Sequence, residues 1–261
     1  ALYEQDMVYL NIAPWFHTLG FVATIIMACS RGSTFIFLPK FDERKFLRAI
    51  EHYKVNTLII VPPIMVFLSK TPLFDQFDVS SVREIACGAA HLSADVQEQV
   101  QKRFKDNVQI RQGYGLSEST FAVIGTTMGV KPGSIGQPLK GIYAKIIDEK
   151  GADLGPRKVG ELCLKGSRIM KGYFNNKKAT SEILGSDGWL HTGDIAYYDE
   201  DFQFYIVDRL KELIKYKGFQ VAPAELEGLL LSNAKIKDAG VIGIADNDAG
   251  ELPFAFVVKQ P

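Results

Sequence analysis

The sequence is poor in most features that mark a specialised class of protein. Only three of its 261 residues are cysteine: Cys29, Cys87 and Cys163. Their wide spacing and odd number fit buried, reduced, intracellular thiols better than a disulfide framework or a zinc site. An excess of one charge is also missing, because thirty basic and thirty acidic residues cancel. No general attraction for nucleic acid is therefore expected. The longest apolar run, Gly20 to Cys29, falls well short of the roughly 20 residues that a spanning helix needs. No internal repeat or low-complexity segment interrupts the chain. What remains is 47% hydrophobic and 23% charged, ordinary for a globular protein and long enough to bury a large core. Ala1 opens the sequence and Pro261 directly follows a strand-like run, so we expect a piece of a longer protein.

The first half alternates strands and helices. Met7 to Ile12 reads as a short buried strand ended by Pro14, and Phe16 to Cys29 as a buried helix with His17 in its first turn. Thr34 to Leu38 and Thr57 to Val61 read as strands, the second closed by Pro62-Pro63 before a short helix at Ile64 to Ser69. Asp42 suits the N-cap of a helix from Glu43 to Tyr53, whose Phe46, Leu47 and Ile50 recur at helical spacing. Val82 to Cys87 and Gln109 to Tyr114 are further strands, and Ser93 suits the cap of a helix from Ala94 to Phe104. Continuous apolar strands between helices argue for a largely parallel α/β sheet covered on both faces.

The texture changes after about Val130. Glycines there punctuate short alternating segments such as Ala144 to Ile147 and Gly160 to Lys165, which suits an antiparallel barrel or sandwich. Phe202 to Val207 reads as another strand. From Arg209 a two-strand ribbon leads to Gly218, then a helix from Pro223 to Leu231 and strands at Ala239 to Gly243 and Phe254 to Val258. The expected division is an α/β part at 1–129, a β-rich part at 130–207 and a small α+β part at 208–261, with a boundary at Asp208.

Three stretches carry candidate chemistry. Strands that end in glycine-rich turns mark the ligand-binding edge of an α/β sheet, and two occur here, at Gly88-Ala89-Ala90 and at Gly113-Tyr114-Gly115. Tyr114 offers a face for a base to stack on. Ser117 brings a hydroxyl, and Glu118 a carboxylate suited to Mg²⁺ or, equally, to capping a helix. Glu118 stands where a third glycine would complete a dinucleotide fingerprint, which argues against a nicotinamide site. Further on, Asp194 follows a tight turn at Gly193 and suits two neighbouring hydroxyls such as those of a ribose. Arg209 offers a rigid fork of donors. If Leu213 to Lys217 is a strand, its period of two puts Lys215 and Lys217 on one face, aimed at an anion. His17 opens an apolar helix, where a satisfied core histidine is commoner than a catalyst. Its functional reading is a switchable group at a pocket mouth.

Three motifs in order and spacing resemble the adenylate-forming enzymes: Tyr114 to Thr120, Gly188 to Asp194, and Asp208 to Phe219. That group comprises acyl-CoA synthetases, 4-coumarate–CoA ligases and beetle luciferases. Pro14 to Phe21 and Lys131 to Pro138 resemble two further motifs of the group. Val221 to Glu227 and Asp248 to Pro253 are similar to its insect branch of luciferases and luciferase-like acyl-CoA ligases. The resemblance implies that Gly88, Ala89, Ala90, Tyr114 and Gly115 hold adenine, Asp194 and Arg209 the ribose, Ser117 the phosphate and Glu118 the Mg²⁺. It implies His17 between the acyl carboxylate and a thiol tunnel, and a hinge at Asp208 to Lys211. Lys215 would approach the adenylate after a domain rotation, with Gln220 nearby and Lys217-Gly218 along the path of coenzyme A.

The expectation is the second half of a large domain plus the start of a small one, in an ATP-dependent acyl-CoA ligase that acts on fatty or aryl acids. The triphosphate loop and a later catalytic lysine of the group are expected outside residues 1 to 261. Ala89 stands where luciferases usually carry glycine, and Phe121 where they carry a small residue. With Phe16, Leu19 and Ile124, Phe121 would line an apolar acyl slot. The expected partners are ATP or AMP, Mg²⁺, coenzyme A and a small carboxylic acid, in a monomer of the peroxisome or cytoplasm. A luciferase and a non-catalytic nucleotide-binding relative are the alternatives.

Overall fold

Asp42 shows how the first half is assembled. Its carboxylate accepts the Lys45 N–H at 2.8 Å and starts the helix Glu43–Tyr53, which Lys54 ends in a left-handed conformation at φ 50°. Phe46, Leu47 and Ile50 of that helix are fully buried against Leu10, Leu58 and Ile60 of the sheet, each worth about 1.5–3 kcal/mol of burial. The computed structural model describes residues 7–105, 107–126, 131–246 and 248–260. Contacts divide the chain into two units, Ala1–Pro132 and Gly133–Pro261. Val130, where the change of texture is expected, lies outside the described residues, and the division falls beside it.

In the first unit the strands are β1 (Val8–Asn11), β2 (Thr34–Phe37), β3 (Thr57–Ile60), β4 (Glu84–Gly88), β5 (Gln109–Gly115) and β6 (Ala122–Gly125). They lie in the order β2-β1-β3-β4-β5-β6, parallel as far as β5, with β6 antiparallel to β5. All four residues of β3 are buried, as a parallel strand covered on both faces requires. Pro62 and Pro63 end β3 and also form the first turn of the helix Pro62–Lys70, where a missing N–H costs nothing. Ser93 caps the helix Ala94–Arg103 by accepting from Val96 N–H at 3.4 Å.

The helix expected from Phe16 is built differently. It begins at Thr18–Gly20, widens to a π-helix at Phe21–Ile26 and returns to an α-helix at Met27–Arg31. His17 lies one residue before it and caps it. The burial expected of the three cysteines holds for Cys87 and Cys163, whereas Cys29 is exposed near the helix end. Among the described residues no helix is long and apolar enough to cross a membrane.

The second unit holds two four-stranded sheets. One runs Phe204–Arg209, Leu190–Tyr198, Gly160–Gly166, Ile142–Ile147, every neighbour antiparallel. Its first strand starts two residues later than expected, because the Asp199 carboxylate accepts the N–H groups of Asp201 and Gln203 and holds Phe202 in a turn at φ 57°. The other runs Phe219–Val221, Ile214–Tyr216, Gly250–Lys259, Ile236–Asp246. The expected strand to Lys217 stops at Tyr216. Lys217 (φ 47°) and Gly218 (φ 82°) form a two-residue hairpin turn with both dihedrals positive, the turn whose twist suits a hairpin. Lys215 and Lys217 therefore do not share a strand face. The helix Pro223–Ser232 packs on the strand Ile236–Asp246, and its Glu227 accepts the Val241 N–H at 2.8 Å.

Candidate functional site

Asn11, fully buried at the end of β1, accepts the Ala13 N–H on its side-chain oxygen at 2.7 Å and turns the chain into Pro14. A Cβ on Gly20 would come within 2.1 Å of the Pro14 carbonyl oxygen, so only glycine lets the helix lie against this turn. The result is a cleft of about 190 Å³ lined by Ala13, Pro14, His17, Leu19, Val61 and Ala89, among others. It opens where β1, β3 and β4 end, the carboxyl edge at which parallel sheets bind ligands. The volume is below the roughly 300–1,000 Å³ of a complete small-molecule site, so it suits one part of a ligand.

His17 Nδ1 accepts the Leu19 N–H at 3.1 Å. In the neutral ring that places the proton on Nε2, the edge left to a ligand. Of the four residues expected to line an acyl slot, Leu19 lines this cleft and packs with Phe121 on Tyr9, Ala23 and Ile59. Phe16, Phe121 and Ile124 are not among its lining residues. Phe16 is 94% exposed, and Ile124, paired with Tyr114 on strand β6, is fully buried.

The two glycine-rich stretches lie side by side, since Gly88 at the end of β4 pairs with Gly113, although Gly113 to Gly115 continue strand β5 rather than forming a turn. Ala89 is held at φ 73°, a left-handed conformation that a Cβ disfavours. A Cβ on Gly115 would lie 2.3 Å from the Phe121 carbonyl oxygen, so the chain can fold back here only as glycine. Beyond it, the turn Ser117–Ser119 presents an exposed Ser117 and a half-buried Glu118. Ser119 is fully buried, and its hydroxyl accepts the Leu116 N–H at 2.8 Å. Of the two serines, one faces solvent and the other builds the turn. Oxygen donors such as Ser117 and Glu118 fit a hard cation like Mg²⁺.

In the second unit, Asp194 is 5% exposed. It faces Arg209 across the strand pair, with Nε 3.4 Å from Oδ1. The ladder is irregular where Asp194 sits, as the register shifts between His191 and Ile195. Thr192 Oγ1 donates to the Leu162 carbonyl at 2.7 Å and accepts the Asp194 N–H at 3.1 Å. Glu161 holds the other side of the turn. Its Oε1 accepts the Gly193 N–H at 3.0 Å, and its Oε2 lies 2.9 Å from His191 Nδ1. Beside them, burial followed by the charge of Glu161 pushes the Cys163 thiol up to about 12. Sequence reasoning missed Glu161 and His191 as supports. The only signal was an acid opening a strand one period before a cysteine.

Asp208, read as part of a hinge, is buried and accepts Arg209 N–H at 2.7 Å and Ala224 N–H at 2.9 Å. It thus caps the helix Pro223–Ser232 in place of Ala222, which has no side-chain acceptor. Lys211 is exposed. Lys215 and Gln220 are cross-strand partners on the hairpin, so their side chains share a face, while Lys217 and Gly218 form its tip.

A family model described as AMP-binding enzyme matches residues 1–174. The probable 4-coumarate–CoA ligase 3 of Dictyostelium discoideum is 46% identical over 260 residues, covering 99% of this chain and 47% of that protein. The luciferin 4-monooxygenase of Photinus pyralis is 48% identical over 258 residues, covering 98% of this chain and 46% of that protein. The chain spans about half the length of these relatives. The o-succinylbenzoate CoA synthetase of Bacillus subtilis, solved with its acyl-adenylate intermediate, matches with a TM-score of 0.82 at 28% identity, covering 98% of this chain and 51% of that one. The same synthetase has also been solved with ATP and a magnesium ion.

Proposed function

Because this chain belongs to the AMP-binding enzyme family, we propose that it forms part of an ATP-dependent acyl-CoA ligase acting on a fatty or aryl carboxylic acid. The observation that carries this reading is the buried Asp194, aimed by the Glu161-supported turn and paired with Arg209. A buried carboxylate held beside an arginine is a strong acceptor for two vicinal hydroxyls. In the first unit, Tyr114 and the Gly88–Ala90 turn take the adenine, and the exposed Ser117 takes the phosphate. Glu118 would hold Mg²⁺, which supplies neutralisation of phosphate charge when bound.

In the first step a carboxylate oxygen attacks the α-phosphorus, and the bond to the bridging oxygen of the leaving pyrophosphate breaks. In the second, the thiol sulfur of coenzyme A attacks the acyl carbon and AMP leaves with the bonding pair. His17, with its proton on Nε2, lies at the rim of the cleft where it can orient the acyl group. Leu19 and Phe121 favour an apolar one. Lys215, with Gln220, serves the second step from beyond a pivot at Asp208 to Lys211, which also sets the proposed domain boundary. Carboxylate-dependent exchange of pyrophosphate into ATP by the full-length protein, followed by thioester formation, tests the reading. Absence of exchange with any fatty or aryl acid would refute it.

A luciferase is the second reading, favoured by the 48% identity to a luciferin 4-monooxygenase. Phe121, packed among Tyr9, Ile59 and Leu19, speaks for the ligase. Little light is therefore expected with luciferin, and emission comparable to a beetle luciferase would reverse the choice.

A further inference from the structure

Cys163, His191 and Glu161 stand together in the second unit for reasons that the nucleotide chemistry does not require. Cys163 and His191 are direct cross-strand partners, and Glu161 lies two residues before Cys163, on the same face. Cys163 Sγ is 3.7 Å from His191 Nδ1, which is 2.9 Å from Glu161 Oε2. One ligand atom from each of the three falls within 4.8 Å of the others.

A tetrahedral ion with bonds of about 2.3 Å to sulfur and about 2.0–2.2 Å to nitrogen and oxygen spaces its ligand atoms by roughly 3.4–3.6 Å. The observed separations bracket those values, so side-chain adjustments of about an ångström bring all three atoms onto one ion. Access is suitable as well. Cys163 is fully buried and closes the inner side, whereas the His191 and Glu161 side chains are 41% and 20% exposed. An ion can approach past the imidazole, and water can complete the shell. Lys145, paired with Cys163 on the next strand, is the nearby opposing charge. Its ammonium is engaged by Asp153 at 3.0 Å and lies 4.7 Å from the centre of the Trp189 ring.

We propose that Glu161, Cys163 and His191 form a three-ligand site for a thiophilic divalent cation of the Zn²⁺ class, with water in the fourth position. Sulfur and imidazole ligands select against Mg²⁺, which takes oxygen, so the site is distinct from any magnesium that accompanies ATP. Glu161 Oε1 can keep the Gly193 N–H while Oε2 binds the ion, so occupancy would brace the turn that aims Asp194. The site does not depend on the ligase reading.

Titrating the full chain with Co²⁺ tests this by absorption. One equivalent should give a thiolate-to-cobalt charge-transfer band and the strong visible bands of a tetrahedral ion, both displaced by Zn²⁺. Cys163→Ser should abolish the charge-transfer band, and His191→Gln should weaken binding by more than about tenfold. Cys29→Ser and Cys87→Ser should leave both unchanged. X-ray absorption of the zinc-loaded wild-type chain needs no variant and should find one sulfur with nitrogen and oxygen neighbours. A shell without sulfur, or a band that survives Cys163→Ser, would overturn the proposal.

Discussion

At the scale of single residues, Asp194 and Ala89 show how the surroundings of a side chain decide its value. Asp194 is nearly inaccessible to water, and its backbone is fixed by Thr192 and the neighbouring Gly193–Glu161 bond. A hydrogen bond to a charged group contributes about 1.5–3 kcal/mol. Asp194→Asn in the full-length protein should therefore raise the KM for ATP roughly 10- to 150-fold, with kcat changed less. Steady-state ATP titrations check this, and an unchanged KM would remove the ribose role. Ala89 is the opposite case, a side chain that costs stability. Its left-handed backbone costs about 1–2 kcal/mol, while glycine adds about 0.4–1 kcal/mol of freedom to the unfolded chain, so Ala89→Gly should stabilise by about 0.5–1 kcal/mol net. Urea unfolding should show a higher midpoint at unchanged slope. A lower midpoint would mean that the Ala89 methyl contributes packing that outweighs its strain.

At the scale of elements, the helix Pro223–Ser232 depends on a carboxylate fifteen residues before it. Asp208→Ala should cost about 0.5–2 kcal/mol and speed hydrogen exchange of the Ala224 amide, with the helix Glu43–Tyr53 unaffected. Equal protection in both proteins would show that the cap is dispensable. The two helices also mark the limit of what sequence can reveal. Asp42 and its helix are adjacent in the chain, so both cap and helix were legible, as were Ser93 and the continuous apolar run of β3. Asp208 caps from a distance, Glu161 holds a turn thirty residues away, and no local pattern records either partner. The π-helical stretch at Phe21–Ile26 and the turn at Lys217 escaped for a different reason. Each keeps the apolar spacing of a regular element while the backbone departs from it. The acids and hydroxyls of the candidate site were legible as residue types, but their supports were not.

For the molecule as a whole, the proposed pivot at Asp208 and the proposed role of Lys215 predict a separation of steps. Lys215→Ala in the full-length enzyme should slow thioester formation from preformed acyl-adenylate more than it slows adenylate formation. Rapid-quench measurements of the two half-reactions check this, and equal slowing would abolish the division of labour.

The two units also differ in how far apart in sequence their paired strands lie. From β1 to β5 every neighbour is parallel, so each pair waits for a crossover, and β1 must hold β2 on one side and β3 on the other. The second unit is dominated by strands that meet their sequence neighbours, down to the two-residue turn at Lys217-Gly218. Chain closure favours the latter kinetically, because distant partners must be brought together before their contacts return any energy. Refolding should therefore proceed in two phases, with amides of the strands Ile214–Tyr216 and Ile236–Asp246 protected before those of β3 and β4. Pulsed hydrogen exchange resolves the order, and simultaneous protection would argue against it. During synthesis the slow half emerges first, so the ribosome gives it the head start that its topology requires.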